Sequence, residues 1–400
     1  MLHNLMDYVC SYDNLWKAYR EAEKSKRYRT EVSLFKQDLE KNLFDIQRDL
    51  KAGTYQVGAY REFYVRYPKP RLVMALGFRD RVVQWAIYRQ LNPYLDKRFI
   101  SDSFACRKGK GALEAVQRVL HWEQEISRKP DGQEWYCLKI DIAKYFYRVS
   151  HEKALDMFRS ITDDERFISL MDTIINNAEV PFGLPEGVSA DDCPPEQRLY
   201  DVGMPIGNLS SQMIANMYLD RLDQFCKKQL RIHYYARYMD DVVIFYNDLA
   251  TLHRWRDQIE IMVRDELSLR LNKKTSIQKM MRGIEFVGRI ILPSGVRFRK
   301  SSRGRIKRVF KREAERYQQG FSDLNHIQST IASYYGQMLH ASTYNLKRWI
   351  YLNIVFCRSE PDPESRSIAI ARLKEQGDMQ CPDEGRQKPI ENILQNSPKP

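Results

Sequence analysis

Paired cysteines are missing from this chain. Its seven, at positions 10, 106, 137, 193, 226, 357 and 381, contain no Cys-x-x-Cys and are odd in number. Such a set predicts reduced, mostly buried thiols, with neither a disulfide framework nor a zinc-ligand set. Long apolar runs are missing too. Nowhere do about 18 apolar residues occur together, and Met1-Leu-His-Asn-Leu-Met-Asp7 offers no stretch for a signal peptide. These absences predict a cytoplasmic protein with no membrane partner. Internal repeats are absent as well.

What is present points elsewhere. At 400 residues and 43% hydrophobic content there is room for two or three domains around a sizeable core. Lys plus Arg number 65 against 52 Asp plus Glu, leaving +13, and 24 Tyr and 17 Phe accompany that excess. A basic, aromatic-rich surface favours a polyanion that offers bases for stacking. A solvated basic face is the competing reading.

Along the chain, Tyr12 to Lys26 and Glu31 to Lys51 carry apolar residues at helical spacing, and Gly53 ends the second helix. Glu62 to Tyr67 and Arg71 to Leu76 read as a hairpin through Pro68-Lys-Pro70. Helices are expected over Arg79 to Leu91, Gly111 to Ile126, His151 to Ser160, Asp164 to Asn177, Asn208 to Leu230 and 251 to 267. A proline-rich irregular loop fills 181–202. A strand pair near 276 to 298 precedes helices at 302–318, 323–340 and 343–356. The order of strands and helices predicts an α+β fold. Past Ser359 the chain is polar and holds six of the sixteen prolines, which reads as a flexible tail or docking segment.

Two adjacent carboxylates stand out, Asp240 and Asp241 in Tyr238-Met-Asp-Asp241. Apolar and aromatic residues flank them on both sides, as in two short strands with acids at their turn. Upstream, Asp141 closes the buried-strand pattern Trp135 to Ile140. With that strand beside the hairpin, Asp141 and Asp240 are expected to face one another and bind two Mg²⁺ ions. Two such ions about 3.5–4 Å apart clamp the attacking and leaving oxygens of a phosphoryl displacement, and hard Mg²⁺ prefers oxygen ligands. A solvent-exposed acidic turn is the bland alternative.

Several ordered blocks resemble the reverse transcriptases over roughly residues 55 to 345. Arg71 in Pro-Lys-Pro-Arg-Leu resembles the fingers arginine. Leu138-Lys-Ile-Asp-Ile-Ala-Lys-Tyr-Phe146 resembles motif A, and Gly203-Met-Pro-Ile-Gly-Asn-Leu-Ser-Ser-Gln212 resembles motif B. Tyr238 to Asp241 match motif C, Leu271-Asn-Lys-Lys274 motif D and Phe286-Val-Gly288 motif E. The resemblance implies a right-hand polymerase fold: fingers, a palm with an antiparallel sheet, and a helical thumb. The expected boundaries are 1–52 for an N-terminal helical region, 53–136 for fingers, 137–296 for palm, 297–358 for thumb and 359–400 for the tail.

It also implies residue roles. Asp141, Asp240 and Asp241, with the backbone of Ile142, would hold two Mg²⁺ ions, Mn²⁺ being the alternative. Lys69 and Arg71 suit a triphosphate, Arg through its bidentate fork; solvated hairpin charges are the plainer reading. Phe146 would lie beneath the sugar and leave no room for a 2′-hydroxyl, unless it is a core Phe. Gly207 would let backbone approach the nucleotide or template, with Ile206 and Gln212 beside it. Lys273 or Lys274 resembles the motif D lysine, a candidate general acid to the leaving pyrophosphate for which Lys274 is taken; a solvated Lys pair is the plainer reading. Ten Lys or Arg against two Glu lie between Arg297 and Arg316. Of these, Arg299, Lys300, Arg303 and Arg305, then Lys307, Arg308, Lys311 and Arg312, would grip the template-primer duplex; a solvated face is the alternative.

Many reverse transcriptases read Gln-Gly-x-x-x-Ser-Pro in motif B, whereas Ile206 and Gln212 stand at its ends here. This variant resembles the enzymes of diversity-generating retroelements, which copy a template RNA with frequent errors at adenine. Tyr60-Arg-Glu-Phe and Ser333-Tyr-Tyr-Gly-Gln-Met-Leu-His-Ala agree with it. Bacterial anti-phage defence reverse transcriptases are similar too. With no RNase H-like, maturase or endonuclease continuation, a group II intron or retroviral enzyme fits poorly. The resemblance implies a dedicated template RNA, dNTPs and a cDNA product. It also implies a bacterial or phage origin, and a small accessory protein or a homo- or hetero-oligomer as further partners. A catalytically idle RNA-binding scaffold is the competing function.

Overall fold

In the computed structural model, which describes residues 1–65, 71–130, 132–176, 181–188 and 192–354, the chain opens with four helices. They are α1 (Leu5–Val9), α2 (Tyr12–Glu23), α3 (Thr30–Gln37) and α4 (Leu39–Ala52). Ser11 caps α2 by accepting from the Asn14 amide at 3.3 Å. Gly53 ends α4 at φ 68°, a left-handed conformation that glycine adopts without a Cβ penalty. The single helix expected from Glu31 to Lys51 is therefore two. Asp38 leaves helical geometry (φ −117°, ψ 45°), and the Asn42 side-chain amide donates to the Phe35 carbonyl exposed by the break, at 2.9 Å.

Next come β1 (Arg61–Val65) and β2 (Arg71–Ala75), antiparallel from Arg61 opposite Ala75 to Val65 opposite Arg71. The hairpin tip, Lys69 included, lies outside the described residues, as do Asp191 of the 181–202 loop, the tail past Ser359, Cys357 and Cys381. Helix α5 (Phe78–Arg98) runs past the expected end at Leu91 and through Pro93. Proline removes one helical donor, but Val82, Val83, Ala86, Ile87, Leu91 and Leu95 are all buried, and that apolar face outweighs a missing hydrogen bond. α6 (Ala112–Ser127) follows.

The central sheet is antiparallel, in the order β4 (Tyr234–Tyr238), β5 (Asp241–Tyr246), β3 (Tyr136–Asp141), β6 (Ser276–Lys279). Cys137, Leu138 and Ile140 on β3 and Val242 to Phe245 on β5 are buried, as strands enclosed on both faces require. Between β3 and β4 lie α7 (Tyr145–Arg148), α8 (His151–Arg159), α9 (Glu165–Ile175) and α10 (Leu209–Gln224). Beyond Gln224 the expected long helix widens into a π-helical turn, Phe225–Gln229. α11 (Leu249–Asp265) then packs on β3 and β5.

The strand pair expected near 276 to 298 is instead four strands. β6 joins the central sheet, while β7 (Ile284–Phe286), β8 (Arg289–Leu292) and β9 (Gly295–Phe298) form a meander of their own. The cause is local: Gly283, Gly288 and Gly295 all have positive φ and cut the segment into short pieces. α12 (Lys300–Gln318), α13 (Leu324–Met338) and α14 (Tyr344–Asn353) close around Phe310, Ile327, Ile331 and Ile350.

The chain divides into two compact units: Met1–Arg118 with Asp131–Met280, and Val119–Pro130 with the chain from Met281 onward. The five described cysteines carry free thiols, four buried and Cys106 exposed. Among the described residues no helix is long and apolar enough to cross a membrane.

Candidate active site

β3 ends on Asp141 and β5 begins on Asp241, and the antiparallel register sets these two residues directly opposite each other. Directly opposed residues point to the same face, with Cβ atoms about 4.5–5.5 Å apart. This corrects the expectation that Asp240 faces Asp141 across the sheet. Tyr238 pairs with Asp241, so Met239 and Asp240 are the two residues of the turn itself. Met239 has φ 53°. A left-handed first turn residue matches the twist of the two strands, and it costs an L-residue other than glycine roughly 1–2 kcal/mol. All three acids are half-buried.

Two ties at this end escaped the sequence. The Lys139 ammonium lies 3.5 Å from an Asp241 carboxylate oxygen, each side chain about a fifth exposed (21% and 23%). Lys139 precedes Asp141 by two residues and so shares its face, a signal visible only once Asp241 is known to pair there. The motif D segment docks on the end of β3 through backbone. The Asn272 amide donates to the Asp141 carbonyl at 2.7 Å, the Ala143 amide to the Arg270 carbonyl at 2.9 Å, and Ile142 bridges Leu271. Lys273 and Lys274 are exposed, and the Lys274 amide donates to the Asn272 side chain at 3.1 Å.

An all-oxygen set of one opposed carboxylate pair plus a turn carboxylate suits a hard divalent cation. Among the described residues no three His, Cys, Asp or Glu side chains converge on one metal position.

Phe146 and Ile206 meet in one apolar cluster with Tyr60, Leu72, Met74, Tyr147 and Phe182. Backbone bonds fix both: the Met74 amide donates to the Ile206 carbonyl at 3.0 Å, and the Met204 amide to the Phe146 carbonyl at 2.7 Å. Gly207, at φ 119°, has no room for a side chain, because a Cβ there would stand 2.8 Å from Val73 Cγ1. Asn208 begins α10 and donates to the Tyr60 hydroxyl at 3.4 Å. Gln212, one turn into α10, accepts from the Cys106 thiol at 3.4 Å and lines a cavity of about 140 Å³ with Trp85 and Tyr88. Arg71 lies on β2 opposite Val65.

Beneath the turn, the fully buried Arg237 pairs with the fully buried Asp223 at 2.7 Å. Burial alone would lower the guanidinium pKa, but the Asp223 carboxylate more than reverses this and leaves it above the ordinary value. Nothing in sequence spacing ties Arg237 to Asp223, so this pair was not foreseen.

In the second unit the basic stretch is partly engaged. Arg299 pairs with Glu285 at 2.8 Å, Arg312 with Glu313 at 3.2 Å, and Lys307 lies 4.2 Å and Lys311 5.7 Å over the Trp349 ring. Lys300, Arg303, Arg308, Lys311 and Arg312 are exposed; Arg305 is half-buried.

An antiparallel palm sheet ending in opposed acids, with a finger hairpin and a helical bundle in the same chain, defines the right-hand polymerase class. A model of the family described as reverse transcriptase (RNA-dependent DNA polymerase) matches residues 66–291, more than half of the chain, and the chain belongs to that family. It is similar to Protein YkfC of Escherichia coli (strain K12), 22% identical over 289 residues, which cover 63% of this chain and 72% of that protein. It is also similar to an uncharacterized 91 kDa protein in cob intron of Schizosaccharomyces pombe, 27% identical over 37% of this chain but only 16% of that protein. A solved structure of apo telomerase from Candida tropicalis aligns with a TM-score of 0.43 at 13% identity, over 60% of this chain and 55% of that one.

Proposed function

We propose that this chain copies a dedicated RNA into cDNA by two-metal nucleotidyl transfer, as a reverse transcriptase of the diversity-generating retroelement or bacterial anti-phage defence type. The observation behind this reading is the register that opposes Asp141 and Asp241 beside the Met239–Asp240 turn. Asp141 and Asp240 would hold two Mg²⁺ or Mn²⁺ ions, with the Ile142 carbonyl, water and nucleotide phosphates completing them. Ions held by these acids would supply activation of the attacking 3′-hydroxyl and charge neutralisation for the departing pyrophosphate. Asp241, tied to Lys139, tunes the charge of the site.

The remaining roles belong to the chain's own side chains. Phe146 excludes a ribose 2′-hydroxyl, and Lys69 and Arg71 hold the triphosphate. Lys274 is the candidate proton donor to the leaving group, while Gly207 and Gln212 border the nucleotide and template. Ile206 offers the nascent pair an apolar contact where a glutamine would sense hydrogen bonding, so a wrong base leaves fewer polar atoms unpaired. The cations from Arg299 to Arg312 grip duplex phosphates.

The test is extension of a DNA primer on an RNA template by the full chain with Mg²⁺ and dNTPs. DNA product is expected, with misincorporation concentrated opposite template adenines and reduced several-fold in Ile206→Gln. An unchanged error spectrum removes Ile206 from the account, and no product at all favours an RNA-binding scaffold.

A further inference from the structure

Arg237 lies two residues before the catalytic turn, and every arm of its guanidinium is occupied. Nε and Nη2 each donate to the Asp223 carboxylate at 2.7 Å, a bidentate pair with both side chains fully buried. Nη2 also donates to Ser103 Oγ at 3.0 Å. Nη1 donates to Asn216 Oδ1 at 3.3 Å and to the Met239 carbonyl at 3.1 Å. That last carbonyl belongs to the turn residue with positive φ, immediately before Asp240.

The partners are themselves held. Tyr235 donates its hydroxyl to Asp223 at 2.6 Å, and the Asn216 amide donates to the Ala105 carbonyl at 2.7 Å. The Arg237 backbone is clasped by residues 102–104, donating to the Asp102 carbonyl at 2.9 Å and accepting from the Phe104 amide at 3.0 Å. Asp223 and Asn216 sit on α10, so one buried guanidinium links that helix, the 102–104 segment and the turn.

We propose that Arg237, braced by Asp223, is a positioning residue for the catalytic hairpin: it holds the Met239 carbonyl and thereby aims Asp240. This rests on the reading of Asp240 as a metal ligand. The Asp223 bridge takes two of the five guanidinium N–H groups, and the rest need acceptors in so buried a site; one acceptor is the carbonyl of Met239 itself, which ties the buried pair to the turn. Replacing a buried ion pair by apolar residues of similar volume is often neutral or stabilising, and this separates anchoring from mere packing.

The experiment compares the full native chain with Arg237→Met/Asp223→Leu/Tyr235→Phe, which removes the charges and the hydroxyl that would be orphaned with them. Thermal unfolding, single-nucleotide addition on an RNA template, and Mn²⁺ affinity by electron paramagnetic resonance are read on both. The proposal expects a triple-variant Tm within a few degrees of native. It expects turnover at least about tenfold lower with the KM for dNTP within twofold, and Mn²⁺ binding at least about threefold weaker. Native turnover and native Mn²⁺ affinity in the folded triple variant overturn it.

Should the triple variant not fold, Arg237→Lys serves. A lysine keeps the charge beside Asp223 but cannot reach Asp223 and Met239 together, so the same losses are expected and full activity overturns the proposal. If the native chain itself adds no nucleotide, the polymerase reading fails by that control, while the Mn²⁺ comparison still decides whether Arg237 shapes the acidic turn.

Discussion

Phe146 owes its position to neighbours that sequence spacing alone does not connect. Its ring packs against the buried group of Leu72, Met74 and Phe182, as does Ile206 of motif B, so the proposed sugar gate is backed by β2. Phe146→Val replaces the ring by a small branched side chain and is expected to lower the preference for dNTP over rNTP by at least about tenfold in kcat/KM; an unchanged ratio, measured by single-nucleotide addition, would return Phe146 to the core. Glu123 supplies a second test at this scale. Its side chain is fully buried, neither carboxylate oxygen has a hydrogen-bond partner among the described residues, and burial pushes its pKa up from 4.5 to about 8. The folded chain therefore keeps a proton that the unfolded chain releases, so stability falls as pH rises from about 4.5 to 8 and levels off above. Glu123→Gln is expected to flatten that slope and raise stability at pH 8–9 by on the order of a few kcal/mol; parallel Tm profiles from about pH 5 to 9 would contradict this. At the end of the central sheet, Asp141, Asp240 and Asp241 were legible as candidates because acids at the ends of apolar strands serve no packing purpose. Lys139 and Arg237 were not, since their meaning lies in cross-strand and helix partners far away in sequence.

The elements were read most reliably where periodicity and stop signals agreed. α2, α8, α9 and the β4–β5 hairpin fall within a few residues of expectation, and Ser11, Ser150 and Asp164 cap the helices from the positions a capping residue should hold. Misreadings arose where tertiary burial overrode a local signal, as with Pro93 inside α5, or where the period was too short to resolve, as in β6 to β9. The exact opposition of Asp141 and Asp241 is also an element-level fact, because a one-residue slip would turn every side chain of β5 to the other face. α12 carries the prediction that belongs here. Lys300, Arg303 and Arg308 are exposed on it, and each phosphate contact contributes about 0.7–0.9 to the slope of log affinity against log salt. The triple change to Ala is expected to lower that slope by about 2 for a template-primer duplex; an unaltered slope would make this a solvated face.

The whole molecule combines a polymerase-class unit, Met1–Arg118 with Asp131–Met280, and a second unit from Met281 onward that bears the densest basic stretch. The net charge of +13 fits a polyanionic partner for such a chain, and the family match over residues 66–291 gives it its class. Everything proposed beyond class depends on the three acids at the end of the palm sheet acting together on a nucleotide. The most direct measurement is single-nucleotide addition on an RNA template across a Mg²⁺ titration, for the native chain, Asp141→Asn and Asp240→Asn. Each substitution is predicted to lower the maximal rate at least about a hundredfold at an unchanged Tm. A near-native rate in either variant would contradict the account.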